Sequence, residues 1–211
     1  MVSWYKNCNN SNRPLSFNQI AFMSLMEKYV DKNQDVIQSC RKNNRKAQVE
    51  VYKIYYKAMY NTSLRITNNA TDAEDIMQES FLDAFRKIKS YNGDGSFGAW
   101  LKRIVINKSL DFVKARQSRM SLGQKIMEQE EQKQDEESET ADIDAKLQEV
   151  KSAMEKLPDD YRIILTLFLI EGYDHQEIAQ ILKTPYGNVR TRYSRARQRL
   201  INEILEARKN N

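Results

Sequence analysis

The sequence predicts an all-α fold with two small helical domains joined by a flexible acidic linker. Only 6 glycines and 3 prolines interrupt the 211 residues. Long segments repeat apolar residues at the i, i+3 and i+4 spacing of a helix, whereas the alternation typical of strands is almost absent. Between the two periodic blocks lies an acidic stretch with few aromatic or branched apolar side chains. Such a composition cannot bury enough surface to fold alone.

Changes in composition divide the chain into four segments. These are a polar N-terminal extension at residues 1–30, a first helical block at 31–117, the acidic linker at 118–145 and a second helical block at 146–206. Between Glu128 and Glu149, ten acidic residues stand against two lysines, a net charge of −8. Because the whole chain carries +5, the remainder carries +13. A basic body divided by an acidic stretch indicates a polyanionic partner.

The residue types exclude several classes of function. Two cysteines and one histidine cannot build a disulfide framework or a zinc site, so we expect no metal and no cofactor. Neither a secretory signal nor an apolar run of the ~18–20 residues that span a bilayer is visible. The carboxylates form no recognisable catalytic pair, and His175 has no nucleophile near it in sequence. We therefore expect a cytoplasmic protein that is not an enzyme and does not insert into a membrane.

The first three of four helices predicted in the first block lie over residues 35–41, over residues 45–67 and after a cap at Thr71. Thr71 and Glu74 have the spacing of a capping box. The following apolar residues recur on one side of the helix, which predicts a buried face. The residues of that face are Ala73, Ile76, Met77, Phe81, Ala84, Phe85 and Ile88.

A loop with two glycines, SYNGDGS, precedes a basic helix that starts FGAWLKRIVIN. Ser96 is placed to cap this helix. Trp100 is more typical of a core residue than of a ring that stacks on bases. Asn107 could pair with a base edge, but composition alone favours an ordinary solvated helix residue.

The second block ends in two closely spaced helices. Gly172 is placed to end the apolar helix before them. Asp174 and Glu177 have capping-box spacing at the start of HQEIAQILK, and Thr184 precedes the next helix. Two helices this close predict a helix-turn-helix. The residues expected to pack them together are Ile178, Ala179, Leu182, Val189, Ala196 and Leu200.

The second of these helices carries five arginines within ten residues, and no acidic residue lies between Ile178 and Asn202. Packing of the pair presents the N-terminal residues of this helix to a DNA major groove. An arginine there can bind guanine or hold a phosphate. A basic helix that binds protein is the alternative.

Two segments carry a resemblance to a known family. Region 2 of the extracytoplasmic-function (ECF) sigma factors of bacterial RNA polymerase resembles DAEDIMQESFLDAFRKIKSYNGDGSFGAWLKRIVINKSLDFVKAR. Region 4 of the same family is similar to LPDDYRIILTLFLIEGYDHQEIAQILKTPYGNVRTRYSRARQRL. The sequence departs from the family pattern at VIN, where an alanine is common, and at Asn188, where threonine is usual.

The resemblance implies roles for individual residues. Asp75, Gln78 and Glu79 of the DIMQE motif would contact the polymerase. A loop and two helix residues would capture a flipped-out base of the −10 promoter element. These residues are Tyr91, Asn92, Gly93, Asp94, Gly95, Ser96, Arg103 and Asn107. The residues implied in recognition of the −35 element are Thr184, Asn188, Arg190, Thr191, Arg192, Arg195 and Arg197.

The predicted function is a bacterial transcription initiation factor. It would bind core RNA polymerase, direct it to −10 and −35 promoter elements and assist promoter melting, with an anti-sigma factor as a further partner. A flexible linker would leave the spacing of the two regions undefined until polymerase fixes it. One alternative is a helix-turn-helix regulator that acts without being a polymerase subunit. Another is an adaptor that docks on polymerase without reading DNA.

Overall fold

The structure, a computed structural model, describes residues 34–93, 95–121 and 141–209, with only the backbone of residues 120, 121 and 141–145. The predicted N-terminal extension, Asp94 and the linker residues 122–140 lie outside the described residues. Every regular element in the described part is helical, which confirms the predicted all-α class.

Eight helices follow one another along the described residues. They are α1 (34–41), α2 (Arg45–Thr67), α3 (Ala70–Lys87), α4 (Phe97–Ser121), α5 (Ala141–Glu155), α6 (Asp159–Leu165), α7 (His175–Leu182) and α8 (Tyr186–Lys209). A 3₁₀ turn, Ile88–Ser90, extends α3, and a π-helical turn, Thr166–Ile170, extends α6. Residues 118–121 and 141–145, which the sequence analysis assigned to the linker, are helical.

The described residues divide into two compact units. The first unit contains the described residues within 34–59 and 77–105, and the second contains those within 60–76 and 106–209. The second unit therefore combines parts of the first helical block with the whole of the second block. Helices α2, α3 and α4 each contribute residues to both units.

Aromatic side chains dominate the packing of the first unit. The Phe81 ring is 2% exposed and lies 4.9 Å from the ring centroid of Tyr52 and 6.0 Å from that of Phe85. Trp100 is half-buried, with its ring centroid 5.5 Å from Tyr91 and 5.4 Å from Phe97. The interpretation of Trp100 as a packing residue agrees with these contacts.

Aliphatic side chains form the core of the second unit. Ile164, Leu165 and Leu167 are completely buried in the segment that follows Pro158, which fits the apolar run of the sequence. The same core takes residues from α2 and α4. Its buried members are Ile66, Ile106, Leu110, Val113, Ala153, Met154, Leu157, Ile163, Ile164, Leu165, Leu167, Ile178, Ile181, Val189, Ala196 and Leu200.

The N-terminal cap of α3 differs from the prediction. The Asn69 side-chain oxygen accepts a hydrogen bond from the Asp72 amide at 2.9 Å, and the helix begins at Ala70. Thr71 is therefore inside the first turn, and the prediction that it caps the helix was wrong. Asn68 ends α2 in a left-handed conformation with φ 57°, and Asn69 directly after it takes the cap position two residues earlier than the Thr-x-x-Glu pattern indicates.

Candidate nucleic-acid and polymerase interfaces

Helix α3 presents a polar face to solvent. Asp75, Gln78 and Glu79 are all exposed, and their i, i+3 and i+4 spacing places them side by side on the helix. Ile76 and Met77, on the other side of α3, are 5% and 3% exposed. Asp75, Gln78 and Glu79 therefore lie on the solvent-exposed side of an anchored helix.

The loop after α3 is shaped by Tyr91 and two glycines. The Tyr91 ring is buried, and its hydroxyl donates a hydrogen bond to the Gly95 carbonyl at 2.7 Å. Gly93 and Gly95 have φ angles of 88° and 94°, a region that L side chains rarely adopt. Asn92 is exposed, and Ser96 accepts a hydrogen bond from the Ala99 amide at 3.2 Å, which confirms Ser96 as the cap of α4.

Arg103 and Asn107 lie one helical turn apart on α4. The Arg103 side chain is half-buried, in the first unit, and Asn107 is exposed, in the second unit. Their spacing of four residues places them on the same side of the helix. The exposed Asn107 amide therefore lies on the solvent side of α4.

The turn between α7 and α8 completes the predicted helix-turn-helix. The Asp174 carboxylate accepts from the amides of Gln176 and Glu177, while Glu177 accepts from the Asp174 amide, so the predicted capping box is confirmed. At the other end of α7, Lys183 takes a left-handed conformation with φ 54°, and the Thr184 amide bonds to the Ala179 carbonyl at 3.0 Å. Sequence reasoning did not anticipate a lysine in this position, which glycine usually occupies.

Helix α8 has one buried side and one side that faces outward. Val189, Ala196 and Leu200 are buried and recur at helical spacing, so a turn of about 100° per residue defines the opposite side. Gly187, Thr191 and Ser194 lie there, and all three are exposed. The middle of the outward surface is therefore small and uncharged in the N-terminal half of α8, and the uncharged Gln198 continues it further along.

Arginines border this small outward strip on both sides. The same helical angle places Arg190 and Arg197 along one border, and Asn188 and Arg195 along the other; all four are exposed. Small residues in the middle allow close approach to base edges, and long cations at the borders can reach the phosphates of both strands.

Two of the five arginines have acidic partners. Arg192 lies 3.6 Å from Asp160 of α6, and Arg199 lies 2.8 Å from Glu203. No ion pair is recorded for Arg190, Arg195 or Arg197 with any described residue. The search for acidic residues near the arginines covered only residues close in sequence. It therefore missed Asp160, which lies 32 positions before Arg192.

Three of the residues predicted to contact the −35 element, Thr184, Thr191 and Arg190, have contacts with neighbouring residues or line a cavity. Thr184 is half-buried and, with Arg192, lines a cavity of about 250 Å³ in the second unit. The Thr191 hydroxyl donates to the Gly187 carbonyl at 3.0 Å, so its methyl group is the part directed away from the helix backbone. Arg190 lies 5.9 Å from the ring centroid of Tyr186, a contact that sequence reasoning also missed.

Comparisons with known proteins identify both parts of the chain. The Sigma-70 region 2 family matches residues 51–119, and the Sigma-70 region 4 family matches residues 147–200. The ECF RNA polymerase sigma-E factor of Haemophilus influenzae is 32% identical over 142 residues, which cover 63% of this chain and 75% of that protein. The chain belongs to the ECF family of RNA polymerase sigma factors.

Further sigma factors match over most of their length. The RNA polymerase sigma-H factor of Pseudomonas aeruginosa is 28% identical over 176 residues, covering 80% of this chain and 91% of that protein. A crystallised sigma factor of Bartonella quintana, solved in complex with the anti-sigma factor NepR, has a TM-score of 0.57 at 23% identity, covering 74% and 95% of the two chains. That structural likeness shows the shared fold.

Membership of the family explains the arrangement of surfaces in this sigma factor. Sigma factors bind core RNA polymerase and promoter DNA, and they act in transcription initiation. The DIMQE face and the Tyr91–Ser96 loop fall within the match to region 2, while the helix-turn-helix falls within the match to region 4. In the described part of the chain, no helix is long and apolar enough to cross a membrane, and no group of three or more acidic, histidine or cysteine side chains could hold a metal ion.

Proposed function

We propose that this sigma factor contacts core polymerase through Asp75, Gln78 and Glu79, reads the −10 element with the loop after α3, and reads the −35 element with the outward face of α8. The observation that carries the proposal is the form of α8, in which a small polar strip is bordered by exposed arginines. A helix that only coats the surface with charge has no need for this alternation.

The −10 site combines the loop with α4. The residues assigned to it are Tyr91, Asn92, Gly93, Asp94, Gly95, Ser96, Arg103 and Asn107. Within this set the buried Tyr91 ring supports the loop, while the exposed Asn92 and Asn107 amides carry the donors and acceptors that can pair with a base.

The −35 site is assigned to the N-terminal half of α8 and the residue before it. Its members are Thr184, Asn188, Arg190, Thr191, Arg192, Arg195 and Arg197. Because Asp160 pairs with Arg192, we assign the larger share of affinity to Arg190 and Arg195, which lie on opposite borders of the strip.

Transcription in vitro with core polymerase tests this assignment. We expect the pair Arg190→Ala and Arg195→Ala to lower transcription from a promoter with a −35 element at least about tenfold, since each lost contact costs ~1–3 kcal/mol. Arg199→Ala is the matched control, because it removes the same charge from α8 at a side chain already paired with Glu203. An equal loss in the control would mean that net charge, not DNA reading, is responsible.

The polymerase face needs a separate measurement. Asp75→Asn with Glu79→Gln should weaken binding to core polymerase, whereas Asp111→Asn, an exposed carboxylate of α4, should not. Unchanged core binding in the double variant would remove these residues from the interface. Core binding measured without DNA separates this result from any defect in promoter reading.

The wider role follows from these partners. We propose that the protein acts in the cytoplasm, where polymerase and promoter DNA are found, and that it catalyses no reaction of its own. An anti-sigma factor is a further proposed partner. In the absence of polymerase, binding to duplex promoter should be weak and should fall steeply with salt, because phosphate contacts dominate it.

A further inference from the structure

The Arg41 side chain joins helix α1 to the proposed −10 loop. Arg41, at the end of α1, donates a hydrogen bond from its guanidinium to the carbonyl of Tyr91, fifty positions later in the chain. The same guanidinium lies 5.6 Å from the centroid of the Tyr91 ring. Arg41 thus holds both the backbone and the ring of the first loop residue.

Tyr91 transmits that contact to the rest of the loop. Its ring packs against Phe97 at a centroid distance of 5.5 Å, and its hydroxyl reaches the Gly95 carbonyl at the far end of the loop. Gly93 and Gly95, which lack side chains, add little intrinsic rigidity to the loop themselves. The shape of the loop therefore depends on how Tyr91 is held.

We propose that Arg41 is a positioning residue for promoter recognition, which fixes the loop so that Asn92 is presented to a −10 base. The inference rests on the proposed −10 role of the loop. A bidentate planar guanidinium suits the task because it can bond a carbonyl and cover an aromatic face together. Its Nε atom is buried and has no hydrogen-bond partner among the described residues, an arrangement that a side chain kept only for packing would avoid.

Arg41→Met and Arg41→Lys test the proposal in the full chain with core polymerase. Transcription is compared on two promoters that differ only in the −10 element, and core binding is measured separately. We expect Arg41→Met to lower the ratio between the promoters at least about fivefold while core binding changes less than twofold. Arg41→Lys should recover part of the ratio, because it keeps the charge but not the planar fork.

Controls separate positioning from folding. Arg45→Met removes an exposed charge nearby and should leave the ratio unchanged. Tyr91→Phe keeps the ring but removes the hydroxyl bond to Gly95, so it should lower the ratio without unfolding the loop. The positioning role of Arg41 would be overturned if Arg41→Met left the ratio of transcription between the two promoters unchanged. A loss of core binding as large as the loss of that ratio would overturn it too. A wild-type protein that ignores the −10 sequence would instead refute the proposed function itself.

Discussion

The two compact units are held together by different chemistry. In the first unit, Phe81 and its neighbours form a cluster of aromatic rings without buried charge. In the second unit, an aliphatic core surrounds Arg162, whose charge is balanced by Asp159. Ring packing depends little on pH or on a single partner, whereas a buried ion pair fails when either partner is removed. The units should therefore respond differently to the same perturbation.

The largest effect is expected in the aromatic cluster. Phe81→Ala should destabilise the first unit by ~3–5 kcal/mol, because it removes a buried ring that contacts Tyr52 and Phe85. Hydrogen exchange measured by mass spectrometry locates the loss unit by unit. Leu82→Ala, at the next position, is the control because the Leu82 side chain is 56% exposed. This substitution should lower the free energy of unfolding by less than about 0.5 kcal/mol. A loss spread evenly over both units would contradict the division.

The rate of alkylation of Cys40 provides a second measure of how far Phe81→Ala opens the first unit. Burial, followed by the negative charge of Glu50, raises the pKa of the Cys40 thiol to about 11. The thiol should therefore resist alkylation near neutral pH until the first unit opens. In a Cys8→Ser background, Phe81→Ala should speed labelling of Cys40, and an unchanged rate would show that this part of the unit stays closed.

A smaller effect is expected when the charge pair of the second unit is weakened. Asp159→Asn keeps the side-chain shape but removes the charge that balances Arg162 and Arg116, and should cost ~1.5–3 kcal/mol. Asp160→Asn alters the next residue, which is 55% exposed and 3.6 Å from Arg192, and should cost less than about 1 kcal/mol. Chemical denaturation gives both values. Equal costs would mean that burial of Arg162 does not matter.

The parts of the structure that were predictable from the sequence are those that depend on local patterns. Helical periodicity predicted the helices and the buried face of α3, because an amphipathic stripe is a local property. Capping signals placed Ser96 and Asp174 correctly. The prediction that Thr71 caps α3 was wrong, because Asn68 and Asn69 provide a competing chain reversal and cap.

Long-range contacts could not be read in the same way. Arg162 lies in the sequence as one more basic residue of an amphipathic helix, and only the fold brings it to the carbonyls of α2 nearly one hundred residues earlier. Asp160 was missed as a partner of Arg192 for the same reason. The arginine-rich outward surface of α8 was predictable, because both its composition and its orientation follow from one helix.

Acid should loosen the second unit before the first. Burial of Asp159 opposes its ionisation, but the hydrogen bonds and charges of Arg162 and Arg116 outweigh burial and lower the pKa of the carboxyl. A carboxyl with a lowered folded-state pKa contributes stability that is complete above its unfolded value of about 3.9 and is lost as pH falls through the folded value. Hydrogen exchange below about pH 4 should rise first in the second unit, and this pH step should vanish in Asp159→Asn.

The smallest loss of stability is expected when a helix cap is removed, and each unit offers one such cap. Asp174 accepts two amide hydrogen bonds at 2.7 and 2.8 Å within a full capping box, whereas Ser96 accepts one at 3.2 Å. Since a cap is worth ~0.5–2 kcal/mol, Asp174→Ala should fall in the upper half of that range and Ser96→Ala near its lower end. Thermal unfolding and hydrogen exchange of the first turns of α7 and α4 measure both. A reversed order would show that the loop after α3, rather than the helix-turn-helix, depends more on its cap.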